Sequence, residues 1–98
     1  MERQQLERAA KVISARNVTP NVKMVTIGWD SANAKLTLRY YTDTAPSDDD
    51  EEFCEIALAE LIAEFPDIRK ADTACLLSRG PSVEHAEGIV YTSERGEA

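Results

Sequence analysis

Six carboxylates packed into eight positions, Asp48, Asp49, Asp50, Glu51, Glu52 and Glu55, are the densest group of chemically capable side chains in this chain. Clustered carboxylates can hold a divalent cation, work as general acids and bases, or present a negative surface to a cationic partner. A calcium loop needs ligands at alternating positions around a central glycine, and the stretch from Asp48 to Glu52 has neither, so no metal is expected there. His85, the single histidine, stands beside Glu84 and Glu87, where a carboxylate could orient it as a general base. No nucleophile at workable spacing and no glycine-rich phosphate cradle accompanies it. His85 is therefore read as a surface imidazole, and the chain as a non-enzyme that needs no cofactor. Cys54 and Cys75 lie 21 positions apart without a CxxC pair, and two cysteines with one histidine cannot complete a four-ligand zinc site unaided. Both cysteines fall on apolar faces, which predicts buried, unreactive thiols.

Elimination leaves electrostatics. Between Tyr41 and Arg69 stand ten acidic residues and not one Lys or Arg. Residues 1–41 hold seven Lys/Arg against three Asp/Glu, a net +4, whereas residues 42–98 hold four against fifteen, a net −11, within a total of −7. A field of one sign confined to one region selects a partner of the other sign. Carboxylates in the first turn of a helix add stability, about 0.3–1 kcal/mol each when exposed. That accounts for two or three of the six; the rest repel one another, and this excess assigns Asp48, Asp49, Asp50, Glu51, Glu52 and Glu55 to partner binding rather than to a merely solvated face. The same balance, with a pI near 4.6, repels phosphate backbones and argues against direct contact with nucleic acid. Trp29, at the end of a strand, and Tyr41, which points away from Tyr40, are the candidate aromatic anchors of an interface. Packing of Trp29 under a helix is the alternative.

The elements that must position these groups follow from periodicity. Leu6, Ala9, Ala10 and Ile13 recur at helical spacing and predict a helix over 2–16, broken by Thr19-Pro20-Asn21. Val22 to Trp29 alternates, with Val25, Ile27 and Trp29 on one face, and Lys35 to Tyr41 alternates with Leu36, Leu38 and Tyr40 on one face. The turn residues Asp30 to Asn33 join the two as an antiparallel hairpin. Ser47 followed by three aspartates is an N-cap with first-turn acids, so a second helix begins near Asp48. Cys54, Ala57, Leu58, Leu61 and Phe65 share its apolar stripe, and Pro66 ends it. The short apolar run Thr73 to Ser78 predicts a strand near the sheet centre, and Ile89 to Thr92, after Gly88, predicts a fourth. Pro81 to Glu87 is read as a loop or single helical turn. The expected fold class is α+β, in the order α-β-β-α-β-β, with a mainly antiparallel four-stranded sheet and helices on one face.

Ninety-eight residues suit one domain, expected over 1–92, with 93–98 as a flexible tail. The first residues lack the apolar core of a signal peptide and no window suits a membrane span, so the expected location is the cytoplasm, away from membranes.

The stretches Val18-Thr19-Pro20-Asn21-Val22-Lys23, Ile27-Gly28-Trp29, Leu38-Arg39-Tyr40-Tyr41, Leu61-Ile62-Ala63-Glu64-Phe65-Pro66-Asp67 and Glu87-Gly88-Ile89-Val90-Tyr91 span most of the chain. Taken with the small size and strong acidity, they give it an overall resemblance to the immunity proteins that bacteria make beside secreted nuclease toxins, in contact-dependent inhibition and colicin-type systems. The resemblance implies a non-catalytic inhibitor that binds one cognate toxin domain, a basic nuclease, and blocks its active site with an acidic surface. It transfers no partner-binding residue. An acidic adaptor or chaperone-like module for another basic protein fits the same charge pattern, and a small enzyme built on His85 is the remaining alternative.

Overall fold

A computed structural model describes residues 2–77 and 88–92. Its elements run α1 (Arg3–Arg16), β1 (Val22–Asp30), β2 (Lys35–Thr42), α2 (Asp48–Glu64), β3 (Lys70–Leu77) and β4 (Ile89–Thr92). The result is an α+β architecture of two helices on a four-stranded mixed sheet, ordered β3-β2-β1-β4. The stretch Pro81 to Glu87, with His85, and the tail 93–98 lie outside the described residues.

The hairpin forms as its alternation requires. β1 and β2 pair antiparallel, Val25 with Tyr40, Ile27 with Leu38 and Trp29 with Leu36, with an irregularity between Val22 and Met24. At its tip the Asp30 carboxylate accepts hydrogen bonds from the backbone N–H of Ala32 and Asn33 and from the Asn33 side-chain amide at 2.8 Å. Ala34 closes the turn in the left-handed region, φ 51°. Its carbonyl then accepts from the backbone N–H groups of Arg69 and Lys70, which sets the start of β3 beside β2.

Two expectations about the sheet are corrected. The apolar run was expected near the sheet centre, but β3 lies at an edge and begins at Lys70; Ser78 lies outside the described residues. The sheet was expected to be mainly antiparallel, but β3 runs parallel to β2, Lys35 opposite Lys70 through Thr42 opposite Leu77. The direction follows from the crossover, in which the chain leaves β2, returns along the 17 residues of α2 and enters β3 in the original direction; the place follows from the hairpin, because β1 already holds the other side of β2. The run is apolar because α2 covers one of its faces, not because strands flank it on both sides. No residue of β3 is fully buried.

β4 pairs antiparallel with β1 at the opposite edge, and Gly88 makes that pairing possible. Its φ is +71°, and the Ile27 carbonyl would lie 2.3 Å from any Cβ placed there. The Ile27 N–H donates to the Gly88 carbonyl at 2.9 Å, and the left-handed backbone and the close Ile27 carbonyl together call for a residue without a side chain.

Leu6, Ala10 and Ile13 from α1, Cys54, Ala57 and Leu61 from α2, and Val25, Ile27, Leu36, Leu38 and Tyr40 from the sheet share one core. Leu58 and Phe65 pack against it but are only partly buried. Tyr40 is wholly buried and donates its hydroxyl to the Asn17 carbonyl at 2.6 Å. Asn17 in turn donates its side-chain amide to the Ile13 carbonyl, and Arg16 forms an ion pair with Glu60 at 2.8 Å. The C-terminus of α1 is thereby joined to both the sheet and α2. The opposite sheet face, which carries Thr37, Arg39 and Tyr41 from β2 and Asp72, Ala74 and Leu76 from β3, is not covered by either helix.

Candidate partner-binding surface

The N-terminus of α2 is built by a reciprocal cap. The Ser47 hydroxyl accepts from the Asp50 N–H at 3.1 Å, and the Asp50 carboxylate accepts from the Ser47 N–H at 2.9 Å. Asp48, Asp49, Asp50 and Glu51 occupy the first turn, where the unpaired N–H groups and the helix dipole favour negative charge. The apolar stripe Cys54, Ala57 and Leu61 then turns this end of the helix so that most of the acids face outward.

Five of the six are exposed: Asp48, Asp49, Glu51, Glu52 and Glu55. Asp48, Glu51, Glu52 and Glu55 stand three or four residues apart and form a ridge that Ala59 and the 40% exposed Ile62 continue toward the C-terminus. Among the described residues, the ion pairs join Arg3 to Glu7, Arg16 to Glu60, Lys23 to Asp43 and Lys35 to Asp72. The ridge carboxylates enter none of these.

Asp50 differs from its neighbours. It is wholly buried, and besides the Ser47 N–H its carboxylate accepts the Thr19 hydroxyl and the Asn21 side-chain amide, the latter at 2.8 Å. Burial pushes its pKa up, but the hydrogen bonds from the Ser47 backbone, Thr19, Asn21 and the Ser47 hydroxyl outweigh it and hold the carboxyl below the ordinary aspartate value. Asp50 therefore serves the fold, and the surface reduces to the other five.

The two aromatic candidates lie elsewhere. Trp29 is half-buried against the core, opposite Leu36 at the hairpin end of the sheet. Leu36 and Thr42 lie six steps apart along β2, roughly 20 Å at about 3.3 Å per residue, and α2 begins beyond Thr42. Tyr41 is half-buried on the sheet face away from the two helices, opposite Met24 on β1 and Leu76 on β3. The structure thus separates the acidic ridge, Trp29 and Tyr41 rather than assembling them.

A feature missed by periodicity lies along β3. Glu51, Cys54 and Glu55 of α2 and Thr73, Ala74 and Cys75 of β3 line a groove between the helix and the sheet edge. The Cys54 thiol is buried and donates a long hydrogen bond to the Ala74 carbonyl, whereas Cys75 is only half-buried. Burial raises the thiol pKa of Cys54 to about 12 and that of Cys75 to about 11, which removes both as nucleophiles near neutrality. Among the described residues no group of three or more His, Cys, Asp or Glu could hold a metal ion, and no helix is long and apolar enough to cross a membrane.

With no catalytic set on the described surface, what distinguishes it is a ridge of carboxylates that enter no ion pair among the described residues. Comparison with protein families decides its context: the model of the MafI2 immunity protein family matches residues 11–94, which include both strands of the hairpin, α2, β3 and β4. The chain belongs to the MafI2 immunity protein family. No curated protein matches it. Membership in the MafI2 family makes this an immunity protein of a toxin system, one that binds and neutralises a cognate toxin, and favours an inhibitory role over an enzymatic one. The expectation of a toxin-neutralising partner is thereby met at this level.

Proposed function

We propose that this MafI2-family protein neutralises a basic toxin domain, a nuclease, by placing the α2 ridge of Asp48, Glu51, Glu52 and Glu55, with the adjoining Asp49, against the cationic cleft that would otherwise hold nucleic acid. The observation that supports this is the contrast within one helix. Asp50 is committed to the fold, while the five exposed acids have no cation among the described ion pairs. Five like charges on two turns repel, and a cationic partner relieves that repulsion on binding. A nuclease has a cleft shaped to attract a polyanion, so the same surface that repels DNA and RNA from the inhibitor is drawn to the enzyme. The complex forms in the cytoplasm, and the toxin belongs to a contact-dependent inhibition or colicin-type system.

The test is inhibition. The toxin domain encoded in the adjacent reading frame is assayed for nucleic-acid cleavage with and without stoichiometric protein, at a fixed salt concentration. Stoichiometric loss of cleavage supports the proposal. A toxin domain that is bound but cleaves no nucleic acid removes the nuclease, and one that goes on cleaving while fully bound removes the blocking mechanism.

A further inference from the structure

Backbone geometry defines a second feature of the acidic region. The Lys70 N–H donates to the Ala34 carbonyl just before β2, and the Leu76 carbonyl accepts from the Thr42 hydroxyl on β2. The even-numbered residues of β3 therefore turn their backbone groups toward β2. In a strand the direction alternates, so Ala71, Thr73 and Cys75 turn their N–H and C=O groups outward. No described residue pairs with that outer edge. Exposed edges are ordinarily blunted by proline, lysine or inward charge. Lys70 and Asp72 stand at the start of this strand, but from Thr73 to Leu77 it reads Thr-Ala-Cys-Leu-Leu, without one of these.

We propose that the outer edge of β3 takes up an extended segment of the cognate toxin as a fifth strand, with Lys or Arg at alternate positions facing Glu51 and Glu55. This rests on the immunity reading above and names the part of the toxin that the site receives. Backbone hydrogen bonds to Ala71, Thr73 and Cys75 would supply register. Specificity would come from the groove, because every second side chain of an added strand projects to the helix-covered side, where Glu51, Cys54 and Glu55 of α2 line the groove with Thr73 and Cys75 of β3. The intervening side chains would project to the face away from the two helices, beside Ala74 and the 40% exposed Leu76, which suits apolar residues. The complementary segment thus alternates basic and apolar residues. Charge also selects against a second copy of this chain. Joining two β3 edges about a twofold axis would continue the helix layer and bring two acidic α2 helices side by side.

Amide hydrogen exchange on the full chain tests this, free and saturated with the toxin domain from the adjacent reading frame, with binding followed separately by calorimetry. The Ala71, Thr73 and Cys75 amides should exchange rapidly in the free protein and at least about tenfold more slowly in the complex, whereas those of Asp72 and Ala74 stay protected in both. Thr73→Pro removes one outward donor and spares the ladder to β2, so it should weaken binding about tenfold with an unchanged far-ultraviolet spectrum. Binding without new protection at Ala71, Thr73 and Cys75 overturns the edge proposal and leaves the immunity reading standing. Protection already present in the free protein, whether at all concentrations or only on dimerisation, overturns it as well. Absence of binding sinks both.

Discussion

Asn21 donates its side-chain amide to Asp50 at 2.8 Å and accepts the Thr44 N–H at 2.9 Å, which fastens the entry to β1 to the start of α2. The most buried acid of the run is thus a structural joint between two segments 29 residues apart in sequence. Asp50→Ala should cost about 3 kcal/mol, since a hydrogen bond to a charged group contributes about 1.5–3 kcal/mol and several are lost. The sign with pH follows from its depressed carboxyl pKa. The stabilisation is complete above the unfolded aspartate value of about 3.9 and is lost as pH falls through the folded value. Urea unfolding should therefore show wild type losing more stability than Asp50→Asn below about pH 4; parallel curves would remove Asp50 from this role.

Gly88 and Gly28 offer a matched pair. A methyl group at Gly88 would meet the Ile27 carbonyl at 2.3 Å in a left-handed backbone, whereas one at Gly28 would touch only the Thr37 Cβ at 3.8 Å. Gly88→Ala should destabilise by more than about 1 kcal/mol and loosen β4, and Gly28→Ala should be near neutral or mildly stabilising. Thermal denaturation of the two variants side by side checks this, and equal melting temperatures would contradict it.

Much of the fold was legible in the sequence because it is locally encoded. Ser47 followed by aspartates marked the start of α2, and strict alternation through Val25, Ile27, Leu36, Leu38 and Tyr40 marked the hairpin and its buried face. The place of β3 was not, because an apolar run reports burial without saying whether strands or a helix provide it. The strand-helix-strand order of β2, α2 and β3 held the missing signal for a parallel pair. The site was legible as a charge pattern only. Nothing in six adjacent acids says that Asp50 will be folded inward, since that depends on Thr19 and Asn21 arriving from another part of the chain.

Burial also governs the thiols. With values pushed to about 12 for Cys54 and about 11 for Cys75, native protein should react slowly with a thiol reagent at pH 8 and rapidly once unfolded. Raised values give the opposite pH sign from Asp50. The stabilisation is complete below the unfolded thiol value of about 8.5 and is lost as pH rises toward the folded values, so the melting temperature should fall between about pH 9 and 11. Rapid labelling of Cys54 in native protein would show the core open at this point.

Charge on the α2 ridge should act on the rate of encounter. Replacing Asp49 by Asn and Glu52 and Glu55 by Gln keeps the shapes while removing three exposed negative charges, and leaves the Asp50 joint untouched. Long-range attraction acts before contact and is screened over about 10 Å at 0.1 M salt, so the variant should associate more slowly with the toxin domain and respond less to added salt. Dissociation should change less than association, because exposed charges contribute little to a complex once formed. In the free variant, loss of the first-turn Asp49 charge and relief of repulsion at Glu52 and Glu55 oppose each other, so its stability should stay close to that of wild type. Stopped-flow association at two ionic strengths distinguishes the possibilities. Equal rates and equal salt slopes for variant and wild type would take the ridge out of the interface, whereas a slower rate at low salt that converges with wild type at high salt is the result that steering by these carboxylates requires.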